Sequence, residues 1–185
     1  MHILATTSSS LDDLAEPVDL NLGRADVVVL SFSASDLGGL ERAWQRTTDG
    51  SVSLVSANLT DLRHPMSVDL WIEKTAEHAK LILIRILGGA DRWRYGVEEV
   101  SRVAKRRGIK LVLLPGECSE RDEKLEAAST VDLPTLSSIL SFFREGGPEN
   151  MDRAARGLAT FSKGEWPDLA AEPLPKTGFY RPGQG

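Results

Sequence analysis

The sequence predicts an α/β fold: an open, mostly parallel sheet of about five strands with helices on both faces, of the Rossmann or flavodoxin-like kind. Short apolar runs alternate along the chain with segments of helical periodicity, which is typical of parallel strands joined by crossover helices. The runs at residues 81–87 and 111–114 are continuously apolar apart from one arginine, as expected for strands that helices cover on both faces.

The apolar runs predict five strands, at residues 2–5, 27–31, 53–57, 81–87 and 109–114. Between them, a helix begins near residue 68, where Ser67 is placed to cap it. The next helix ends at Gly108 after three cations, a stop signal that combines the helix dipole with a left-handed cap. A weaker helix is predicted over residues 37–44.

We divide the chain into an α/β domain at residues 1–130, a helical extension at 131–165 and a Pro/Gly-rich linker at 166–185. The extension contains two helices separated by Gly146 and Gly147, which either cover the sheet or form a small appendage. The linker contains four prolines and stops without a closing element. We therefore expect it to lead towards a missing C-terminal body.

Composition and charge restrict the class of protein. The 185 residues are 41% hydrophobic and 26% charged, an ordinary globular composition with a formal net charge of −5 that disfavours nucleic acid as a partner. The longest apolar stretch, residues 80–87, is too short to span a membrane. A single cysteine, Cys118, and an N-terminus without signal-peptide features predict a cytoplasmic protein.

The motifs of several enzyme classes are missing from the sequence. It contains no Gly-x-x-x-x-Gly-Lys-Ser/Thr loop, so ATP hydrolysis by that route is not expected. Its three histidines lack the spacing of a zinc site, and Gly88-Gly89 does not form a dinucleotide fingerprint. We accordingly predict no catalytic residue and no metal ligand in this chain.

Arg85 is the most unusual position because it interrupts a strand that otherwise reads as fully buried. A buried charge requires a carboxylate partner, a ligand or a route to solvent, since burial without compensation costs several kcal/mol. Arg85 lies near the carboxyl end of its strand, where open α/β sheets form their ligand crevice. It is therefore either an anion contact or one half of a structural ion pair.

The loop that follows supplies further candidates for ligand or interface contacts: Gly88, Gly89, Arg92, Trp93, Arg94 and Tyr95. Two arginines and two aromatic rings could clamp a flat, acidic ligand by stacking and charge. In the alternative, the rings pack on the sheet edge and the arginines face water. His64, which precedes a helix, is a further candidate, either as a proton carrier or metal ligand or as a residue that hydrogen-bonds its own loop.

Seven ordered motifs cover nearly the whole chain, at residues 62–71, 75–81, 85–89, 93–96, 114–116, 146–150 and 178–183. Together they resemble the large subunit of aerobic cobaltochelatase, in the CobN and magnesium-chelatase H-subunit family. Two positions depart from the family pattern: Glu117 replaces an expected aspartate, and Arg92 stands near where tyrosine or serine is commoner.

The resemblance implies a role in cobalamin biosynthesis, where the family's large subunit inserts Co²⁺ into hydrogenobyrinic acid a,c-diamide. It implies a ligase-type enzyme in which Co²⁺ is the substrate and partner subunits, one an AAA+ ATPase, use ATP. Because the family's chain is several times longer, we expect this part to be inactive alone and to bind no cofactor. Two alternatives remain: a head domain of a magnesium-chelatase H-type subunit, and a non-catalytic docking or ligand-binding α/β domain.

Overall fold

The computed structural model describes residues 16–116 and 121–174. Within them, four parallel strands form one sheet in the order β2-β1-β3-β4. The strands are β1 (Val27–Ser31), β2 (Leu54–Asn58), β3 (Leu81–Ile86) and β4 (Lys110–Pro115). This order matches the first four strands of a flavodoxin-like doubly wound sheet, so the predicted open parallel α/β fold is confirmed.

The four observed strands begin and end within one residue of the predicted positions. The fifth predicted strand, residues 2–5, lies outside the described residues, so the described sheet has four strands rather than about five. Strands β1 and β3 are buried at every position, whereas the edge strand β2 is half-buried throughout. The mostly apolar sequences of β1 and β3 thus correspond to the centre of the sheet.

Six α-helices cover the two faces in the described part of the chain. They are α1 (Ala34–Thr47), α2 (Pro65–Lys74), α3 (Arg94–Arg107), α4 (Glu123–Ala128), α5 (Leu133–Glu145) and α6 (Pro148–Lys163). Helices α2, α3 and α4 pack on one face, and α1, α5 and α6 pack on the other. Because successive residues of a strand point to opposite faces, Val28 and Leu30 enter the first core and Val27 and Val29 the second.

Helices α5 and α6 resolve the alternative that the sequence left open, because they cover the sheet. Ile139 and Phe142 of α5, together with Ala154 and Leu158 of α6, are fully buried in the same core as β1, β3 and β4. Nothing in the described fold separates these helices from the sheet. The domain boundaries at residues 130 and 165 stay predictions.

Residues 166–174, which we name the strap, extend across α5 and α6. The Trp166 ring meets Phe142 and Phe161 edge-on, with centroids 6.3 and 5.7 Å apart. The buried Asn150 side chain donates 2.8 Å hydrogen bonds to the carbonyls of Gly146 and Glu172 and accepts one from the Glu172 amide. The described part of the predicted linker is therefore extended but docked.

The helix ends correct one prediction and confirm another. The N-cap of α2 is His64, not Ser67; Ser67 is buried in the first turn, where its Oγ accepts a 2.7 Å hydrogen bond from the Val18 amide. Proline at the first position of α2 fixes the earlier start. As predicted, α3 ends at Gly108, which adopts the left-handed conformation with φ of 68°.

Short elements escaped the sequence analysis. They are α4 and three 3₁₀ helices at Leu59–Leu62, Ala76–His78 and Ala90–Trp93. All are six residues or fewer, too short to show a repeating apolar face. Among the described residues, no helix has the length and apolar character needed to cross a membrane.

Candidate functional site

The carboxyl ends of the four parallel strands meet at one edge of the sheet, which we name the carboxyl edge. The chain runs from β1 outward to β2 and then returns to β3 on the other side of β1. Open α/β sheets bind ligands at such a reversal of strand order. Arg85 lies near the carboxyl end of β3, and the candidates from Gly88 to Tyr95 follow that strand, so all lie at or near this edge.

Arg85 is buried in a cage of protein acceptors. Its side chain is 6% exposed and forms an ion pair with Asp36, whose side chain is 18% exposed. Arg85 Nη2 also donates to the carbonyls of Pro115 and Gly116, each 3.3 Å away. The guanidinium lies over the Phe143 ring, 4.9 Å from its centroid. Of the two interpretations, the structure therefore supports the ion pair.

The first turn of α1 positions the Asp36 carboxylate to pair with Arg85. Ser33 caps the helix by accepting a 3.3 Å hydrogen bond from the Asp36 amide, and Ser31 Oγ donates to Asp36 Oδ2 at 3.2 Å. A carboxylate in the first turn is also favoured by the helix dipole. Arg85 Nε is buried without a hydrogen-bond partner among the described residues.

Asp36 and Phe143 were not predicted as the partners of Arg85. A buried arginine requires a carboxylate, but the sequence does not identify which one, because Asp36 lies 49 residues before Arg85 in the chain. A signal was present: Ser33 and Asp36 have the Ser-x-x-Asp spacing of a capped helix directly after β1. That spacing places a carboxylate at the carboxyl edge.

The two glycines after β3 form a tight turn. Gly88 and Gly89 have φ of 87° and 73°, in the left-handed region that favours glycine. A Cβ atom on Gly89 would stand 2.9 Å from Asp122 Oδ2, so this turn lies against the start of α4. Glycine at these positions is therefore explained by the backbone and its packing.

The four side chains after the glycines do not converge into a clamp. Trp93 is 5% exposed, packs against Trp71 at 6.3 Å between centroids, and donates a 2.7 Å hydrogen bond from Nε1 to the Leu62 carbonyl. Arg92 and Arg94 are exposed, and Arg94 pairs with Asp91 at 3.0 Å. The aromatic ring of Trp93 thus belongs to the core, while both arginines face solvent.

Tyr95 is the aromatic candidate whose side chain remains partly exposed to solvent. It is 39% exposed, and its hydroxyl donates a 2.7 Å hydrogen bond to Asp69 on α2. The carboxylate of Asp69, through this hydrogen bond, raises the pKa of Tyr95 to about 12. Tyr95 therefore stays a neutral donor at physiological pH and joins α3 to α2.

His64 acts as a helix cap in this structure. Its Nδ1 accepts a 3.1 Å hydrogen bond from the Met66 amide at the start of α2. Of the alternatives for His64, the one in which it hydrogen-bonds its own loop is the geometry observed. Within residues 16–116 and 121–174, no group of three or more His, Cys, Asp or Glu side chains is placed to hold a metal ion.

Comparisons with known proteins identify relatives along the entire chain. The chain is 37% identical over 185 residues to the aerobic cobaltochelatase subunit CobN of Sinorhizobium sp., and 31% identical over 185 residues to CobN of Pseudomonas aeruginosa. It covers 14% of the length of each of these curated relatives. No protein-family model matches.

A solved structure also relates this chain to cobaltochelatase. The catalytic subunit of cobaltochelatase from Mycobacterium tuberculosis superposes with a TM-score of 0.60 at 25% identity, covering 85% of this chain and 12% of that one. The resemblance inferred from the ordered motifs is therefore confirmed. The motif at residues 178–183 lies outside the described residues.

Proposed function

We propose, on the premise that the whole chain is homologous to a segment of the cobaltochelatase subunit CobN, that it serves cobalt insertion as part of a large chelatase subunit. The observation that carries this proposal is the 37% identity over the full 185 residues. Because those residues amount to 14% of the relative, the activity is assigned to the larger protein.

The proposed reaction is the ATP-dependent insertion of Co²⁺ into hydrogenobyrinic acid a,c-diamide, catalysed by a ligase-type complex in the cytoplasm. Co²⁺ is the substrate in this scheme, and ATP is used by an AAA+ partner subunit acting with an accessory subunit. The assignment follows from the resemblance to large subunits and from the naming of both curated relatives as aerobic cobaltochelatase. The magnesium-chelatase alternative is less favoured for the same reason.

Within that subunit, we assign this domain a supporting role rather than the metal-inserting chemistry. Its strongest candidate residues have partners inside the fold: Arg85 binds Asp36, Trp93 packs on Trp71, and His64 caps α2. Side chains with such partners stabilise the conformation of the surface. They supply no free acid, base or ligand to a reacting macrocycle.

Contacts with the remainder of the assembly are proposed at the carboxyl edge. Met66 and Leu87 are 55% and 50% exposed. Met66 is the second residue of α2, and Leu87 directly follows β3. Arg92, Arg94 and the Gly88–Gly89 turn lie along the same part of the chain. Exposed apolar side chains beside arginines are a composition found in protein interfaces.

The function is tested by immunodepletion of an extract of the source cell with antibodies raised against this chain. We expect depletion to remove ATP-dependent insertion of Co²⁺ into hydrogenobyrinic acid a,c-diamide, while pre-immune serum removes none. Full cobalt insertion in the depleted extract would refute the proposal. Loss of Mg²⁺ insertion into a porphyrin, with cobalt insertion intact, would establish the magnesium-chelatase alternative instead.

The interface is tested in the same extract with the variant Leu87→Asp, which places a charge on the exposed apolar edge. Less partner subunit should co-precipitate with this variant. Leu133→Asp is the matched control, because Leu133 is 46% exposed at the start of α5 on the other side of the sheet. An equal loss for both variants would count against a specific contact at the carboxyl edge.

A further inference from the structure

A cavity of about 470 Å³ lies between α1 and the first turn of α6. Its volume lies within the range of small-ligand pockets, about 300–1,000 Å³. Asp36 from α1 and Pro148 from α6 belong to its lining, as does Phe143 near the end of α5. Because Asp36 and Phe143 also contact Arg85, the cavity lies beside the buried ion pair at the carboxyl edge.

The charges around this cavity leave one cation without a counterion. Asp36 is paired with Arg85, and Arg46 is paired with Asp152. Arg42, which also lines the cavity, forms no ion pair within residues 16–116 and 121–174. Acidic residues already occupy the first turns of α1 and α6, so Arg42 is the group that gives the cavity its affinity for an anion.

Glycine at position 38 leaves space for the Arg42 side chain to pack along α1. A Cβ atom at Gly38 would stand 3.2 Å from Arg42 Nη1, so the guanidinium folds back along α1 by one helical turn. In this conformation the exposed guanidinium lies along the helix beside the cavity. A guanidinium in that place can receive a carboxylate through two parallel hydrogen bonds.

The remaining wall of the cavity is apolar. Phe143 and Met151 line it, and Gly39 faces Met151, whose Cγ would be 3.6 Å from a Cβ atom at that position. Glycine is the poorest helix former after proline, yet it occupies the middle of α1 here. Any side chain larger than alanine would fill the space that Gly39 leaves open.

We propose that this cavity binds an organic carboxylate with an apolar body, with the carboxylate on Arg42 and the body against Phe143 and Met151. The charge of Arg42 and the apolar wall carry this inference together. It goes beyond the proposed function and does not depend on it, since binding to the chain can be measured without metal, ATP or partner subunits.

The test is an NMR titration of the full 185-residue chain with 3-phenylpropionate, compared with its neutral amide, 3-phenylpropionamide. We expect saturable shifts of the Gly39 and Gly147 amide resonances with the acid, and binding weaker by about tenfold with the amide, because a charge-assisted hydrogen bond is lost. Arg42→Gln should weaken binding of the acid by a similar factor, and Arg42→Lys by less.

Arg156→Gln is the matched control, since Arg156 is an exposed arginine of α6 that lies outside this cavity. It should leave the affinity for the acid unchanged. The absence of saturable binding at millimolar concentrations would overturn the proposal. Equal affinities for acid and amide, or an equal loss in the Arg42 and Arg156 variants, would also overturn it.

Discussion

Among the described residues, Arg85 is the one charged side chain that is buried, and its partners determine what it contributes. Removing the guanidinium leaves the Asp36 carboxylate without its counterion inside the second core. Such a change destabilises more than the pair itself stabilises, because the remaining charge has lost part of its hydration and no longer has a counterion.

We expect Arg85→Met to lower the free energy of unfolding by about 3 kcal/mol, the lower end for a broken buried pair, because Asp36 keeps 18% of its side chain exposed. Urea unfolding measures this change. The double variant with Asp36→Asn should recover part of the loss, since the remaining charge is then gone. Strictly additive losses would show that the two side chains do not interact.

Two helical glycines should respond to alanine with opposite signs. A Cβ atom at Gly96 would collide with the Trp93 ring, so Gly96→Ala should destabilise by about 1–3 kcal/mol, as overpacking does. At Gly39 the new methyl would make ordinary contact with Met151 at 3.6 Å, so Gly39→Ala should stabilise by about 0.5–1 kcal/mol. Thermal unfolding of both variants measures these changes in stability. A change of the same sign in both variants would contradict the packing described.

Interactions between residues close in the chain were predictable from the sequence, whereas interactions between residues far apart in the chain were not. The need of Arg85 for a partner follows from its own strand, but the identity of Asp36 depends on how the sheet brings α1 beside β3. The burial of Trp93 likewise depends on space left by Gly96 and on the Leu62 carbonyl, 31 residues earlier. Such contacts exist only in the folded chain.

At the scale of elements, the strap shows how a segment without regular structure is held. Asn150 is 1% exposed and satisfies both the amide and the carbonyl of Glu172. We expect Asn150→Ala to destabilise by about 1–3 kcal/mol, since it removes three hydrogen bonds between this buried side chain and the backbone of Gly146 and Glu172. Amide exchange of residues 166–174 should accelerate more than exchange in β3.

The neighbouring variant Glu149→Ala is the control for the strap, because Glu149 is exposed and, among the described residues, forms no hydrogen bond or ion pair with residues 166–174. It should leave exchange in the strap unchanged. If Asn150→Ala left it unchanged as well, the aromatic contacts of Trp166 alone would account for the docking.

Asp26 joins the amino-terminal ends of three strands. Hydrogen bonds from the Lys80 ammonium, and then from the Ser53 amide and hydroxyl, hold the pKa of Asp26 well below its usual range. A depressed pKa in the folded state adds stability above the unfolded value of about 3.9, and this stability is lost as the pH falls through the folded pKa.

Asp26→Asn should therefore be less stable than the wild type near neutral pH, by roughly 1 kcal/mol because the side chain is partly solvated. In strong acid, below both pKa values, the difference should vanish. Urea unfolding across that pH range measures it, with Glu73→Gln on the exposed face of α2 as control. A difference that persisted in strong acid would contradict an electrostatic origin.

Elements were predictable where the chain repeats a local pattern. The strands β1, β3 and β4 follow from apolar runs, and the end of α3 follows from cations before Gly108. The strap was not predictable as a docked segment, because its prolines indicate only an extended backbone. Its docking depends on the Asn150 side chain and on Trp166 reaching Phe142 and Phe161.

At the scale of the molecule, the sheet with two helical layers is a scaffold in which both faces are closed. The exposed Met66 and Leu87 and the cavity beside Arg42 lie at or near the carboxyl edge. A role as one part of a larger chelatase subunit agrees with these features, since that edge offers a surface for contacts and the core residues have partners within the fold.

The most direct test of that role is the size of the native gene product, measured by immunoblot of the source cell with antibodies against this chain. The account predicts a band about seven times the 20.2 kDa of this chain, because the chain covers 14% of its curated relatives. A native product near 20.2 kDa would contradict it and identify a free-standing α/β domain.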